Sequence, residues 1–453
     1  MLFDIIARKA VYILFRNMTP YEMLRDSYLV DIPDMPTCEG PMGIFYDFND
    51  GARIFLPEGN WHVSIEDSET GNILNESDSK GGLVQSTCRF YVKFLIKVWS
   101  KESKTLVFEH KLNLKDKETQ ILFPLLPFGD TIAWMPAAIA FIENHGCKTE
   151  FIMGEKFSRI FANKYKNIIF SDPRIKKPFF TKPYASYHLG MLTFKNEEYS
   201  KMYSPFDPRI SCLCDVAGGI LGINDCTHIP EIDYSSKRKI KERYVVIAAK
   251  TSYKAKLWNN PTGWSQTVAY LRRLGYRVLC IDKDAVQDSA GIPAGAENFT
   301  GDIPLTERAD LIKHCDFFIG LDTGLSWLAW YIGRPVIVIG GFTLPFHIFK
   351  TPYYVFSPYA CHGCYHDTRL SISEFNYYAC PRHKGTGREY ECTRLITGKQ
   401  VIRTILQLMS DNNLTRPCDG RPVFSKRDSG NPAFFEKTLN LLKRYIFINQ
   451  AKH

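Results

Sequence analysis

The chain has no run approaching the roughly 18 consecutive apolar residues that a bilayer-spanning helix needs, which excludes a helical membrane protein. It shows no secretory leader. Asp4, Arg8, Lys9 and Arg16 interrupt the first apolar residues, and no small-residue cleavage site follows, although 5–14 are spaced for an amphipathic helix. Low-complexity tracts are absent. So is any internal repeat beyond an organisation in two halves. Dense basic patches are also scarce. The net charge is +9, but the basic residues are spread out apart from the run SSKRKIK at 235–241, which reads as a solvated linker between domains. The chain therefore lacks the footprint of a nucleic-acid binder. The positive balance fits either attraction to phosphate groups or a mildly basic surface.

Cysteine, by contrast, is plentiful and odd in number: thirteen. A disulfide framework belongs to secreted chains, so the expectation is a reduced, cytoplasmic protein with thiols free or on metal. Four of them, Cys361, Cys364, Cys380 and Cys392, follow a C-x2-C-x15-C-x11-C spacing. Two thiolates two residues apart can grip one metal ion from a tight turn, and a second pair closes a tetrahedral site; spacing alone suggests zinc. His362, His366 and His383 lie among them and read as flanking surface residues. Cys212, Cys214, Cys280 and the other remaining cysteines read as small core residues.

With 453 residues, 45% of them hydrophobic, the chain has room for two or three domains. Residues 1–40 read as a helical arm. From 41 to 122, dense turn signals separate short alternating runs such as 52–56, 61–65 and 90–98, the pattern of a small antiparallel β domain. An α/β half follows over 123–238, with a helix predicted over 131–143 and strands at 150–153 and 168–171. A second occupies 239–355. It has strands at 244–249, 277–282, 317–322 and 335–340, with helices at 264–273, 306–314 and 325–331 between them. This alternation predicts a doubly wound parallel sheet in each half, with a cleft between the halves. The cysteine segment takes 356–398. Helices and a loose tail fill 399–453, with helices over 399–409 and 432–447.

Candidate chemistry gathers at strand ends. Asp322, Thr323 and Gly324 lie where a strand yields to a helix. Free amides there can meet a phosphate, Thr323 can add a hydroxyl, and Gly324 lets the ligand approach; plain steric need for small residues is the alternative. Thr251, Ser252 and Lys256 follow another strand of the same half and can surround a diphosphate, the lysine neutralising charge on a leaving group. Asp282, between them, suits ribose hydroxyls or a helix cap. Asp130, after Gly129 in the first half, is either the N-cap of the following helix or a general base facing the cleft.

Several stretches carry a resemblance: IFYDFNDGAR (44–53), LPEGNWHV (56–63), AKLWNNPTGW (255–264), GLSWLAW (324–330), CPRHK (380–384) and ECTRLITG (391–398). Together they resemble the bacterial autotransporter heptosyltransferases, relatives of the lipopolysaccharide heptosyltransferases, over roughly 40–410. The resemblance implies a GT-B fold of two Rossmann-like halves, with the N-terminal β domain and a four-cysteine metal finger added. It implies ADP-heptose as donor and serines on the strand-loop-strand repeats of an autotransporter adhesin passenger as acceptors. The implied reaction is inverting and needs no catalytic metal. Asp130 would be the base, Lys256 would hold and stabilise the departing diphosphate, and Thr323 and Gly324 would hold phosphate oxygens. The four cysteines would hold a structural metal, iron rather than zinc, in a ring-shaped homo-oligomer, a dodecamer in the family. Trp327 stands where the lipopolysaccharide enzymes usually carry His, which argues against that branch. The competing readings are a lipopolysaccharide core enzyme and a non-enzymatic docking protein; a zinc-ribbon nucleic-acid binder is the weakest.

Overall fold

The structure, a computed structural model, describes residues 28–125, 128–190, 201–235, 237–251, 253–285, 291–370 and 380–423. The expected helices within 1–40 and over 432–447, together with Ser252, lie outside these residues.

The second half follows the expected pattern closely. Six short strands form one all-parallel sheet in the spatial order Glu297–Asn298, Arg277–Cys280, Tyr244–Ile247, Phe318–Leu321, Val336–Ile339, Tyr354–Val355. In chain order that is 3-2-1-4-5-6, the doubly wound arrangement. The four central strands are continuous runs of mostly Val, Ile, Leu and Phe because helices cover both faces. The order reverses between Tyr244–Ile247 and Phe318–Leu321. A crevice opens there beyond the strand ends, and both phosphate-suited loops leave the sheet at that point.

The first half holds a mixed sheet of eight strands. Ile168–Ser171, Lys148–Ile152, Glu118–Leu122 and Ala185–His188 run parallel, and Phe45–Asn49 continues them in the same sense. Arg53–Leu56 and Gly82–Gln85 follow antiparallel, and the eighth, Cys38–Glu39, pairs antiparallel with Phe45–Asn49. This departs from the expected self-contained β domain over 41–122. Only four strands form a separate antiparallel sheet, in the order Ile73–Ser79, Trp61–Asp67, Phe94–Ser100, Thr105–Lys111. The rest extend the parallel sheet, and Glu118–Leu122 lies at its centre. The physical reason is burial. Thr119, Gln120, Ile121 and Leu122 are all buried, so this strand is covered on both faces. Phe94–Ser100 alternates buried and partly buried residues, as a one-faced strand does.

Helix α1, Phe128–His145, follows that central strand, and most of its residues from Thr131 to Ile142 are buried. It packs against α2, Leu213–Leu221, where the Trp134 indole donates to the Leu213 carbonyl at 2.9 Å. The second half contributes α3, Gly263–Arg273; α4, Leu305–Lys313; and α5, Gly324–Tyr331. Finally α6, Gly398–Asp411, opens on a Thr397–Gln400 capping box and buries Val401, Ile405, Leu408 and Met409 on one face. Helices α1 and α5 meet across the two halves, where the Tyr331 hydroxyl donates to the Ile132 carbonyl at 2.6 Å. Among the described residues no helix is long and apolar enough to cross a membrane.

Candidate active site

The two helices that begin at strand ends, one from each half, start side by side. A Cβ placed on Gly324 would lie 2.5 Å from Phe128 Cδ1 and 2.9 Å from the Gly129 nitrogen. Only glycine lets the two helix starts approach this closely. Their free amides, and the positive ends of both helix dipoles, thus converge on one point. Asp130 is the third residue of α1. The N-cap alternative falls away, because the helix begins two residues ahead of it.

Asp130 keeps part of its surface open to the cleft while its carboxyl is enclosed by protein. Burial pushes the carboxyl up to about 6; the Lys256 ammonium pulls it down and the Asp322 carboxylate pushes it further up. A carboxyl poised there is ionised at neutral pH yet basic enough to take a proton. Lys256 comes from the other half, in a single 3-10 turn, Lys254–Lys256. Its Nζ lies 3.5 Å from Asp322 Oδ2 and donates to the Asp322 carbonyl at 3.4 Å. The Thr343 hydroxyl donates to Asp322 Oδ2 at 2.6 Å. Burial acts to raise the Asp322 carboxyl, but Lys256, His347 and the Thr343 hydroxyl outweigh it and hold it below the ordinary range. Asp322 therefore aims the lysine. Thr323 caps the start of α5 from extended backbone, and its hydroxyl oxygen is buried with no hydrogen-bond partner.

Asp282 is buried, and both of its oxygens are engaged. Oδ2 accepts from the Ala249 amide at 2.9 Å and Oδ1 from the Lys250 amide at 3.0 Å. It latches the loop that carries Thr251 and Lys256, closer to the cap alternative than to ribose binding. Thr251 is buried in that loop.

The four cysteines line one small cavity, together with His383, Arg388, Tyr390 and Glu391. Burial first, and mutual repulsion second, pushes the Cys364 and Cys392 thiols up to about 12. Thiols that share one cavity, three of the four buried, become thiolates only around a cation, so the donor set suits a soft metal. The Arg382 guanidinium, 3.7 Å from Cys361 Sγ, supplies further positive charge. His383 is not a bystander as the spacing suggested: its ring, Cys361 Sγ and a Glu391 oxygen lie within 4.8 Å of one another. Glu391 is already engaged, accepting from the Cys361 amide at 2.9 Å and from Arg388 at 2.6 and 2.9 Å. That leaves the thiols as the better ligands.

This finger also props the site. The Gly363 amide donates to the Gly341 carbonyl at 2.8 Å and the Tyr365 amide to the Phe342 carbonyl at 3.2 Å, which ties the finger to the loop bearing Thr343. Asn259 donates to Thr393 Oγ1 and the Trp258 indole to the Ile396 carbonyl, both at 2.9 Å, which ties it to the loop bearing Lys256. Ala255, Phe342, Cys364, Tyr365, Cys380 and Tyr390 share one apolar cluster. Sequence reading missed Thr343 and His347, the one in an irregular loop and the other ending a single 3-10 turn, and it placed His366 on the surface. His366 is half-buried, its Nδ1 donating to the Arg209 carbonyl. Cys280 is a core residue as expected. Cys212 and Cys214 are not: they sit partly buried at the boundary of the halves, where Cys212 Sγ lies 3.6 Å from the Ile348 carbonyl.

Known proteins resemble this chain over most of its length. Residues 40–102 match the family model for the N-terminal domain of glycosyltransferase TibC, and 219–358 match glycosyltransferase family 9 (heptosyltransferase). The autotransporter heptosyltransferase TibC of Escherichia coli O78:H11 is 44% identical over 85% of this chain and 94% of its own length. The autotransporter heptosyltransferase Aah of Escherichia coli is 44% identical over 83% of this chain and 96% of its own. An inactive autotransporter heptosyltransferase, BimC of Burkholderia thailandensis, is 34% identical over 82% of this chain and 87% of its own. The crystal structure of the iron-containing dodecameric glycosyltransferase TibC superposes with a TM-score of 0.80, covering 84% of this chain and all of that one. A second crystal structure holds TibC in complex with ADP-D-beta-D-heptose, with the same TM-score of 0.80 and 44% identity. Two Rossmann-like halves around a cleft, an added antiparallel sheet, and this degree of identity over most of the chain place it among the autotransporter heptosyltransferases of the GT-B fold, within glycosyltransferase family 9.

Proposed function

We propose that this protein is a protein O-heptosyltransferase, moving heptose from ADP-heptose to serine hydroxyls on the strand-loop-strand repeats of an autotransporter adhesin, with inversion at the anomeric carbon. The observation that carries the reading is the meeting of Asp130 and Lys256, from different halves, beside two helix starts. In the reaction Asp130 takes the proton of the serine hydroxyl as its oxygen attacks the anomeric carbon. The bond from that carbon to the diphosphate breaks, and the electron pair leaves with ADP. Lys256 offsets the charge that builds on the departing diphosphate. Thr323 and the amide of Gly324 hold its oxygens, and the hydroxyls of Thr251 and Ser252 are assigned to the same diphosphate. Attack from the face opposite the leaving group inverts the centre.

Cys361, Cys364, Cys380 and Cys392 hold a structural metal. The likeness to the iron-containing TibC makes iron the first choice for that donor set, with zinc as the alternative. The metal crosslinks the finger that braces both catalytic loops. By the same likeness the protein assembles as a dodecamer, and it works in the cytoplasm, before its acceptor is exported. The test is intact-mass spectrometry of an adhesin fragment incubated with purified protein and ADP-heptose. Increments of one heptose each, localised to serines, are the expected result. No increment from folded, metal-loaded protein would overturn the reading and favour a lipid-linked acceptor.

A further inference from the structure

Cys212 and Cys214 flank Leu213 at the start of α2, and the function proposed above uses neither. Their Sγ atoms lie 3.1 Å apart, about 1 Å longer than a disulfide bond. Both are partly buried, so a small reagent reaches them, whereas Cys147, Cys280 and Cys315 are closed off in the core.

Their surroundings make the two thiols unequal. Cys212 is the N-cap of α2, in extended backbone at φ −64° and ψ 148°. The free amides and the positive end of a helix dipole favour a thiolate there. The hydrogen bond shared with Cys214 holds the Cys212 thiol below its ordinary range, against burial. Cys214 Sγ lies 3.8 Å from Asp215 Oδ1. The bond with Cys212, burial and the Asp215 carboxylate together push the Cys214 thiol up. One sulfur is thus disposed to attack, while its neighbour stays protonated and waits. Two thiols leave a metal ion under-coordinated, so the pair suits redox chemistry better than metal binding.

We propose that Cys212 and Cys214 are a redox-active dithiol, closed reversibly to a disulfide by a small-molecule disulfide of the glutathione class. The Cys212 thiolate attacks one sulfur of the reagent, the reagent's S–S bond breaks, and one thiolate departs and takes up a proton. Cys212 then carries the other half of the reagent and no negative charge, so Cys214 ionises more readily. Cys214 Sγ attacks Cys212 Sγ, and the second thiol leaves with the Cys214 proton. The protein loses two electrons and two protons, and the reagent gains both. A ring closed over one intervening residue is strained, and strained disulfides are the readily reduced, regulatory kind. Closure also changes the boundary of the two halves. As a thiol, Cys212 donates weakly to the Ile348 carbonyl at 3.6 Å, and a disulfide sulfur has no proton to give. Leu213, inside the ring, accepts from Trp134 of α1, the helix that carries Asp130.

The test places the full-length, metal-loaded protein in glutathione buffers from fully reduced to fully oxidised, alkylates the free thiols and maps the peptides by mass spectrometry. The expected result is loss of two hydrogens from the peptide holding Cys212 and Cys214, restored when the ratio is reversed. Cys214→Ser should stop at one glutathione on Cys212, and Cys212→Ser should leave Cys214 alkylated. Both cysteines alkylated in fully oxidised buffer would overturn the inference. So would a disulfide from either of them to Cys226. Equal glutathione uptake by the two single variants would also overturn it, because the pair would then be two ordinary accessible thiols. A second metal equivalent, seen by elemental analysis and lost in both variants, would assign the pair to a metal and sink the dithiol. If a variant does not fold, mapping of the unaltered protein decides alone. The readout involves no heptose transfer, so its failure is distinct from failure of the proposed function.

Discussion

Asp130 shows how one side chain is tuned by what surrounds it. In the unfolded chain its carboxyl titrates near 4. Folding raises that to about 6, chiefly by enclosing it. Two consequences follow with opposite signs. Transfer requires the ionised base, so kcat/KM should climb as pH rises through about 6 and level off above it. Stability runs the other way. The folded state binds the proton more tightly than the unfolded state, so the stability that the protonated carboxyl contributes is lost as pH rises from about 4 through about 6. Asp130→Asn should therefore lose about 10²–10⁴-fold in rate, in line with removal of a general base. It should also melt at a higher temperature than the unaltered protein at about pH 8, with the gap closing by about pH 4. A rate-against-pH profile and thermal melts at the two pH values check both halves of this. A base elsewhere would leave the profile without an inflection near 6.

Helices α1 and α5 are brought together by two glycines, and the finger braces the loops that flank them. Gly324→Ala would force a methyl group against Gly129 backbone, 2.9 Å from its nitrogen, and against the Phe128 ring. Overpacking of this kind costs about 1–3 kcal/mol. The helix starts would part, carrying Asp130 away from Lys256. A lower melting temperature together with roughly a tenfold or greater loss of transfer is expected, and a variant with normal activity would refute the close-contact argument. The finger makes a second prediction. The loops bearing Lys256 and Thr343 both hydrogen-bond to it. Replacing Cys364 and Cys380 by Ser should therefore release the metal, seen by elemental analysis, and weaken ADP binding several-fold although neither cysteine touches the nucleotide. Metal loss with unchanged ADP affinity would show that the loops stand without the finger.

At the scale of the whole chain, catalysis depends on two halves that do not share a sheet. Contacts across their boundary include Tyr331 to Ile132, Cys212 to Ile348, and Arg209 of the first half to the Leu370 carbonyl of the finger at 3.0 Å. The finger thus touches both halves, and its metal state should influence how they sit together. The likeness to a dodecameric relative leads to one further expectation. Light scattering behind size-exclusion chromatography should give about twelve times the mass of one chain, and a monomer that still transfers heptose would separate assembly from catalysis.

Several features are legible in the chain without coordinates. The continuous apolar runs at 244–247, 318–321 and 336–339 announce strands covered on both faces, because only a sheet sandwiched between helices can bury every residue. The C-x2-C turn announces a metal site, because short spacing alone brings two thiols together. Gly-Asp and Thr-Gly at strand ends announce a cleft, because amides are free where a helix begins. Other features needed the third dimension. Nothing local distinguishes Glu118–Leu122, at the centre of the parallel sheet, from the antiparallel strands before it, since strand pairing is a choice between distant segments. Nothing local relates Gly129 to Gly324, or His347 to Lys256. Composition and spacing along the chain determined which groups are available and what element each stands on. Packing of the two halves decided which of them meet, because burial and charge act through space, and it is those meetings that raise Asp130 and aim Lys256.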